Sequence, residues 1–264
     1  MDKVIVCPVC GEGLFKEDRT FGCANGHRFD LAREGYLNLL RSSKKGDTVG
    51  DDPAACRARR ELLNKGYYSP LRDFLCNKLS GRSGRLLDIC CGEGYYTSAF
   101  AGVEGLEVYG FDISKEMVRL AAKRGKGRYF VANLAHVPVA SGSFDLATHL
   151  FAPFNAAEFA RVLKSGGELF TVFPGARHLF GLKAVLYDRP YENDERLPSA
   201  EGFELVGTER VKAETVIEGN GDISALFRMT PYYFRTPPEN KKRLEGVESL
   251  PTELEFVIAT YKKI

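Results

Sequence analysis

Leu86-Leu87-Asp88-Ile89-Cys90-Cys91-Gly92-Glu93-Gly94-Tyr95-Tyr96 is the stretch that decides the fold. A short apolar run ends in an acid, breaks into a loop of small residues and resumes at Thr97-Ser98-Ala99-Phe100 as the start of a helix. Strand, tight loop, helix is the first crossover of a parallel sheet, with the loop at the carboxyl edge where such sheets bind ligands. Glycines there let the backbone approach a ligand closely. Further on, Glu107-Val108-Tyr109-Gly110-Phe111-Asp112 reads as a second strand ending in an acid. Asp112 stands where a carboxylate accepts both hydroxyl protons of a ribose.

Two cofactor classes share this logic, dinucleotides and S-adenosylmethionine. A dinucleotide loop wants G-x-G-x-x-G, so that a helix amino end faces a pyrophosphate. Here the pattern is Asp-x-x-x-Gly-x-Gly, with Asp88 in the loop mouth and Gly92, Glu93 and Gly94 forming the turn. A carboxylate there repels a pyrophosphate but suits a ligand carrying an ammonium and a sulfonium. The loop favours S-adenosylmethionine over a plain strand-helix turn.

A second motif lies at the amino end. Cys7-Pro8-Val9-Cys10 is followed after twelve residues by Cys23 and then by His27. Two tight pairs joined by such a loop close a tetrahedron of three thiolates and one imidazole around zinc. All four positions are filled by protein, so the metal is expected to be structural. Forty residues make little core, so this lobe is expected to fold only with metal bound.

Composition narrows the rest. At 264 residues and 44% hydrophobic content the chain buries one large core with room for a satellite. The net charge of +2 does not demand a polyanion partner, so nucleic-acid contacts must come from local clusters. No apolar run approaches the roughly 20 residues that span a membrane, and no signal-peptide pattern opens the chain. Seven cysteines, three of them in a metal pattern, argue against a secreted disulfide framework and for the cytoplasm.

The chain divides into a zinc-binding domain (1–40), a linker with helices (41–84) and a methyltransferase domain (85–264). The charged, glycine-bearing 41–53 segment carries Lys44 and Lys45, and the helix after Pro53 carries Arg57, Arg59 and Arg60. These five are candidates for RNA phosphates, against the ordinary reading of a solvated face. Tyr68, just ahead of the sheet, is either plain core or a cover for the cofactor. Asn133 ends a third strand, where adenine is commonly read, or merely satisfies a turn. The fourth strand exits at Ala152-Pro153-Phe154-Asn155, beside the transferable methyl group, so Pro153, Phe154 and Asn155 are the target-positioning candidates, with Phe154 as the stacking ring. His149 lies within that strand and reads as core. The following helix, Ala156 to Leu163, is expected to end at Lys164-Ser165-Gly166-Gly167, and His178 arrives from the fifth strand's exit loop at the same edge. The element count fits an α/β, Rossmann-like class I methyltransferase domain with an N-terminal zinc-binding lobe.

The chain resembles the bacterial large-subunit (23S) rRNA (guanine-N1) methyltransferases of the RlmA type over nearly its whole length. The resemblance rests on Cys-x-x-Cys…Cys-x-x-x-His-x-Phe-Asp (Cys7 to Asp30), Glu-Gly-Tyr-x-Asn-Leu-Leu (Glu34 to Leu40), Gly-Asp…Ala-Arg-Arg (Gly50 to Arg60) and Gly-x-Tyr-x-Pro-Leu (Gly66 to Leu71). Cys-Gly-Glu-Gly-Tyr-Tyr-Thr, Pro-Gly-x-Arg-His-Leu and Met-Thr-Pro complete it. It implies zinc on Cys7, Cys10, Cys23 and His27, and the cofactor near Tyr68, Gly92, Glu93, Asp112 and His178. It also implies a 23S rRNA hairpin-loop guanine as substrate, a homodimer and, in some relatives, macrolide resistance. One position departs: the family usually has glycine where this chain has Cys90.

Two competing functions stay open at this stage. One is a small-molecule or protein methyltransferase with a structural zinc lobe; steep salt dependence of RNA binding separates it. The other is a non-catalytic zinc-ribbon RNA-binding protein, which Cys90 alone favours and which cofactor calorimetry tests.

Overall fold

A computed structural model of the chain describes residues 4–40 and 53–264; Lys44 and Lys45 lie outside the described residues. The apolar run before Asp88 forms a central strand because residues 86–89 are buried on both faces, as a strand covered by two layers requires.

In chain order, a three-stranded antiparallel ribbon of β1 (Phe15–Glu17), β2 (Thr20–Gly22) and β3 (Arg28–Asp30) leads into β4 (Tyr36–Asn38). Helices α1 (Pro53–Asn64) and α2 (Ser69–Leu79) follow. The Rossmann-like part runs β5 (Gly84–Ile89), α3 (Tyr95–Phe100), β6 (Leu106–Asp112), α4 (Lys115–Lys123), β7 (Arg128–Val131), β8 (Phe144–Leu150), α5 (Ala156–Val162), β9 (Leu163–Pro174) and α6 (Phe180–Leu186). The chain closes with β10 (Phe203–Glu218), α7 (Asn220–Arg228), the single turns α8 (Tyr232–Arg235) and α9 (Pro238–Lys241), a 3-10 turn and β11 (Ser249–Lys263).

One eight-stranded sheet has the order β10-β11-β9-β8-β5-β6-β7-β4. Strands β4 to β9 in this sheet pair in parallel, while β11 inserts antiparallel between β9 and β10. The order reverses between β5 and β8, so the crevice for a ligand opens at their carboxyl ends. This is the class I methyltransferase architecture.

The ribbon is stitched into this body. Strand β4 pairs in parallel with β7, and Ile5 bridges Val139. Val4, Ile5, Leu14, Leu37 and Leu39 share one apolar core with Leu87, Ile89 and Phe111 of the sheet. Helices α2, α3, α6 and α7 cover the other face. One element differs from the sequence expectation. Helix α5 stops at Val162 and β9 begins at once, so Lys164–Gly167 lie in strand rather than in a glycine-terminated helix end. Gly167 permits this, because a Cβ there would sit 3.1 Å from Asp145 O and 2.9 Å from Lys164 O.

Candidate active site and zinc centre

Local turns set the geometry of the ribbon's donor cluster. Gly11 N donates to Cys7 O at 2.9 Å and Gly26 N to Cys23 O at 3.0 Å, each glycine at positive φ. The turns bring the donor atoms of Cys7, Cys10, Cys23 and His27 within 4.8 Å of one another. Cys10 Sγ lies 3.6 Å from Cys23 Sγ, and Cys23 Sγ lies 3.3 Å from His27 Nδ1. Zinc–sulfur bonds of about 2.3 Å in a tetrahedron set sulfur atoms about 3.8 Å apart. The donor set fits zinc, and four protein donors close the coordination sphere.

The second site is a cavity of about 610 Å³ at the carboxyl edge, within the range of nucleoside-sized ligands. Its floor is the loop after β5. Cys90, Gly92 and Gly94 alternate in the left-handed region at φ 55°, 56° and 80°. Gly94 is also forced by packing, since a Cβ would come within 2.9 Å of the Ala121 backbone in α4; it lies behind the wall rather than in it. Gly92 lines the cavity, and a Cβ there would meet nothing within 4 Å among the described residues. The space beside it is a cradle for a ligand.

Asp112 ends β6 in the cavity wall, its oxygens accepting from Gly92 N at 3.0 Å and Ser114 N at 2.9 Å. These bonds fix the carboxylate's direction. Asp88 is buried and accepts the hydroxyls of Thr97 (2.5 Å) and Thr148 (2.8 Å), so it also braces β5, β8 and α3 together. Burial pushes its carboxyl up to about 6, with the threonine bonds opposing. Glu93 is buried against Arg124 at 2.6 Å, with Oε1 in the cavity wall unpartnered among the described residues, and burial raises its carboxyl. The Tyr96 hydroxyl, beside the cavity, is likewise buried without a partner among the described residues. Burial, then the charges of Asp112 and Asp88, pushes the Cys90 thiol up to about 12, so it stays protonated.

The opposite wall comes from loops after β8 and β9. His178 Nδ1 accepts from Glu255 N at 3.3 Å, which leaves the proton on Nε2. Burial, then the nearby Lys183 charge, lowers its imidazole to about 3, so the ring is a neutral donor. Tyr68 is buried edge-on to His178 at 6.3 Å and lines the cavity. Phe151 is 47% exposed, lines the cavity and lies near-parallel to His178 at 6.4 Å and 18°. Its φ of 56°, like that of Leu179, is rare for a side-chain-bearing residue, and such strain clusters at functional sites.

Several sequence candidates land elsewhere. Phe154 is half-buried against His149, Phe159 and Tyr261, so it packs in the core and Phe151 takes the exposed position. Asn155 caps α5, accepting from Glu158 N at 3.3 Å. Asn133 is exposed and accepts from Ala135 N in a local turn. Pro153 lines the cavity, its carbonyl accepting from His149 Nε2 at 3.1 Å. Burial lowers His149 to about 4, which fits its place in the core. Of the arginines, Arg59 lines the cavity, Arg60 donates to Leu120 O at 2.7 Å, and Arg57 is exposed. Asn193 and the Met229–Tyr232 stretch complete the wall. Met229-Thr230-Pro231 stood out as a motif, whereas nothing in the sequence flagged Asn193.

A zinc-ribbon family described as the RlmA N-terminal region matches residues 5–47, and a methyltransferase-domain family matches residues 87–171. The chain is 32% identical to the 23S rRNA (guanine(748)-N(1))-methyltransferase of Streptomyces fradiae, over 96% of this chain and 95% of that one. A Bacillus subtilis protein named for the same guanine-N1 reaction is 30% identical over 92% and 91% of the two chains. A demethylmenaquinone methyltransferase of Bacillus velezensis is 30% identical over 39% of this chain and 51% of that one.

Proposed function

The chain belongs to the RlmA-type 23S rRNA (guanine-N1)-methyltransferase family, and from that premise we propose that it methylates N1 of a guanine in a 23S rRNA hairpin loop. S-adenosylmethionine, when bound, supplies the methyl group from its sulfonium. One observation carries the proposal: the oriented Asp112 carboxylate and the open cradle at Gly92 share a cavity with the strained, exposed Phe151. A ribose-holding acid and an aromatic platform at one sheet edge suit a nucleoside cofactor and a flipped base.

In this proposal Asp112 accepts the ribose hydroxyls, the Gly92 backbone lies against the cofactor, and His178 Nε2–H donates to it. Tyr68 closes the same side. Phe151 and Pro153 hold the target base, so that N1 and the methyl carbon are aligned for in-line displacement, and N1 gives up its proton to a general base or a hydrogen-bonded water as the new bond forms. The base is reached cheaply because a hairpin loop is already partly unstacked. The ribbon's zinc is structural. On the resemblance, the working form is a cytoplasmic homodimer; no described helix is long and apolar enough to cross a membrane.

Mass mapping of 23S rRNA from cells with and without this protein tests the function: one N1-methylguanine disappears in its absence, and identical maps contradict the proposal. Asp112→Ala weakens cofactor binding by about 1.5–3 kcal/mol, the range of charge-assisted hydrogen bonds. Unchanged calorimetric affinity would put the ribose elsewhere.

A further inference from the structure

The arginines expected to grip RNA are partly committed, Arg60 to the end of α4 and Arg59 to the cavity wall. A different surface carries spare cations. From Arg228 to Glu245 the chain has five cationic side chains against two carboxylates. Arg228, Arg235 and Lys242 are exposed and enter no ion pair among the described residues, whereas Arg243 is held by Asp188 at 2.7 Å.

An aromatic ladder stands among these charges. Phe227 meets Tyr233 edge-on at 5.3 Å, and Tyr233 meets Phe234 at 5.3 Å. Lys241 Nζ sits 4.4 Å and the Arg228 guanidinium 5.9 Å from the Tyr233 ring centroid. The last ring, Phe234, is 80% exposed. A shallow cleft of about 150 Å³ lies between Phe227, Arg228, Tyr233 and Lys241. Tyr233 alone separates Phe234 from the cavity-lining Tyr232, so the exposed ring stands on the same helical turn as part of the cavity wall.

We propose that this face is a single-stranded RNA-binding surface beside the methyl-transfer cavity. Phe234 stacks on an unpaired base flanking the target guanine, and Arg228, Arg235 and Lys242 contact phosphates. The proposal rests on the rRNA methyltransferase function. Rings set among cations match what single strands need, because every base offers a face to stack and phosphates reward charge. A protein partner wants the reverse, an apolar centre depleted of charge.

The test uses the full-length zinc-loaded protein and a 23S hairpin transcript, with binding measured across a salt series. Arg235→Ala with Lys242→Ala lowers the salt slope by up to about 1.4, two single-strand phosphate contacts. Phe234→Ala raises Kd about tenfold with the slope unchanged, as loss of one stacking platform should. Both variants keep wild-type S-adenosylmethionine affinity and melting temperature. Wild-type Kd and slope in both would overturn the proposal. So would a loss of cofactor affinity, or a change from dimer to monomer in sedimentation, which would assign the face to the cavity wall or to a second copy of the chain. The functional premise is read separately: a wild-type protein that labels no 23S guanine overturns that premise, whatever the binding data give.

Discussion

The ribbon gathers its four donors from one short segment, whereas the cavity draws its wall from stretches running from Arg59 to Tyr232. In the ribbon, turns a few residues long place each donor, and one ion holds the set together. In the cavity, strand order places each side chain, and the apolar core holds the left-handed Leu179 in position. A local site should fail all at once when its metal leaves. A distributed site should fail by degrees, residue by residue.

The largest expected effect breaks the first half of that contrast. Cys23→Ser, or chelation, should remove the zinc and cost several kcal/mol of stability, since structural zinc contributes on the order of 10 kcal/mol in isolated fingers. The shared core with Leu87 and Phe111 should keep the sheet folded. Metal analysis with thermal unfolding checks this, and an unchanged melting temperature would mean that the core alone holds the ribbon.

Next comes the phenylalanine pair in the cavity rim. Phe154→Ala should lower stability by about 2–3 kcal/mol, as truncation of a largely packed ring does, while sparing single-turnover rate in the fraction that folds. Phe151→Ala should do the reverse, with near wild-type stability and a saturated rate reduced about tenfold, in line with one base-stacking contact. The same ordering in both assays would erase the distinction between core and platform.

That pair also marks where the sequence stops being informative. The zinc ligands and the Asp88-to-Gly94 loop were legible because spacing within one turn is already geometry. Asp112 was legible because a strand that ends in an acid fixes which edge the acid reaches. Phe151 and Phe154 are three residues apart in one loop, and only the left-handed backbone at Phe151 decides which ring faces the cavity. Asn155 did carry a usable signal, an Asn-x-x-Glu helix cap with Glu158, which competes with a substrate role. Met229–Tyr232 enter the wall only after the chain has crossed the sheet again, so the Met-Thr-Pro motif was legible as a resemblance but not as part of the cavity.

A smaller effect tests the neutral imidazoles. Burial lowers His149 to about 4 and His178 to about 3, so the folded protein refuses protons that the unfolded chain accepts below about pH 6.5. Stability from both is therefore present above that pH and is lost as pH falls toward 4, by up to about 1.4 kcal/mol per pH unit for each refused proton. Asp88, raised to about 6, opposes this between pH 6 and 4, because its folded carboxyl takes up a proton first. Two rings against one carboxyl leave a net fall. His178→Asn should flatten the slope of stability against pH; an unchanged slope would mean that the folded ring already carries its charge.

The smallest effect concerns Cys90. Its φ of 55° costs a side-chain-bearing residue about 1–2 kcal/mol that glycine avoids. Cys90→Gly should raise the melting temperature by about 2–4 °C and leave cofactor affinity equal or tighter. A lower melting temperature would show that the thiol's packing outweighs the strain.

The cavity is expected to transfer methyl to one guanine N1 of 23S rRNA. Incubating the zinc-loaded protein with unmodified 23S rRNA and S-adenosylmethionine carrying a deuterated methyl group, then mapping the label by mass spectrometry, tests it most directly. Label is expected on N1 of a single guanine in a hairpin loop; RNA without label, or label on another atom or base, would contradict methyl transfer to guanine N1.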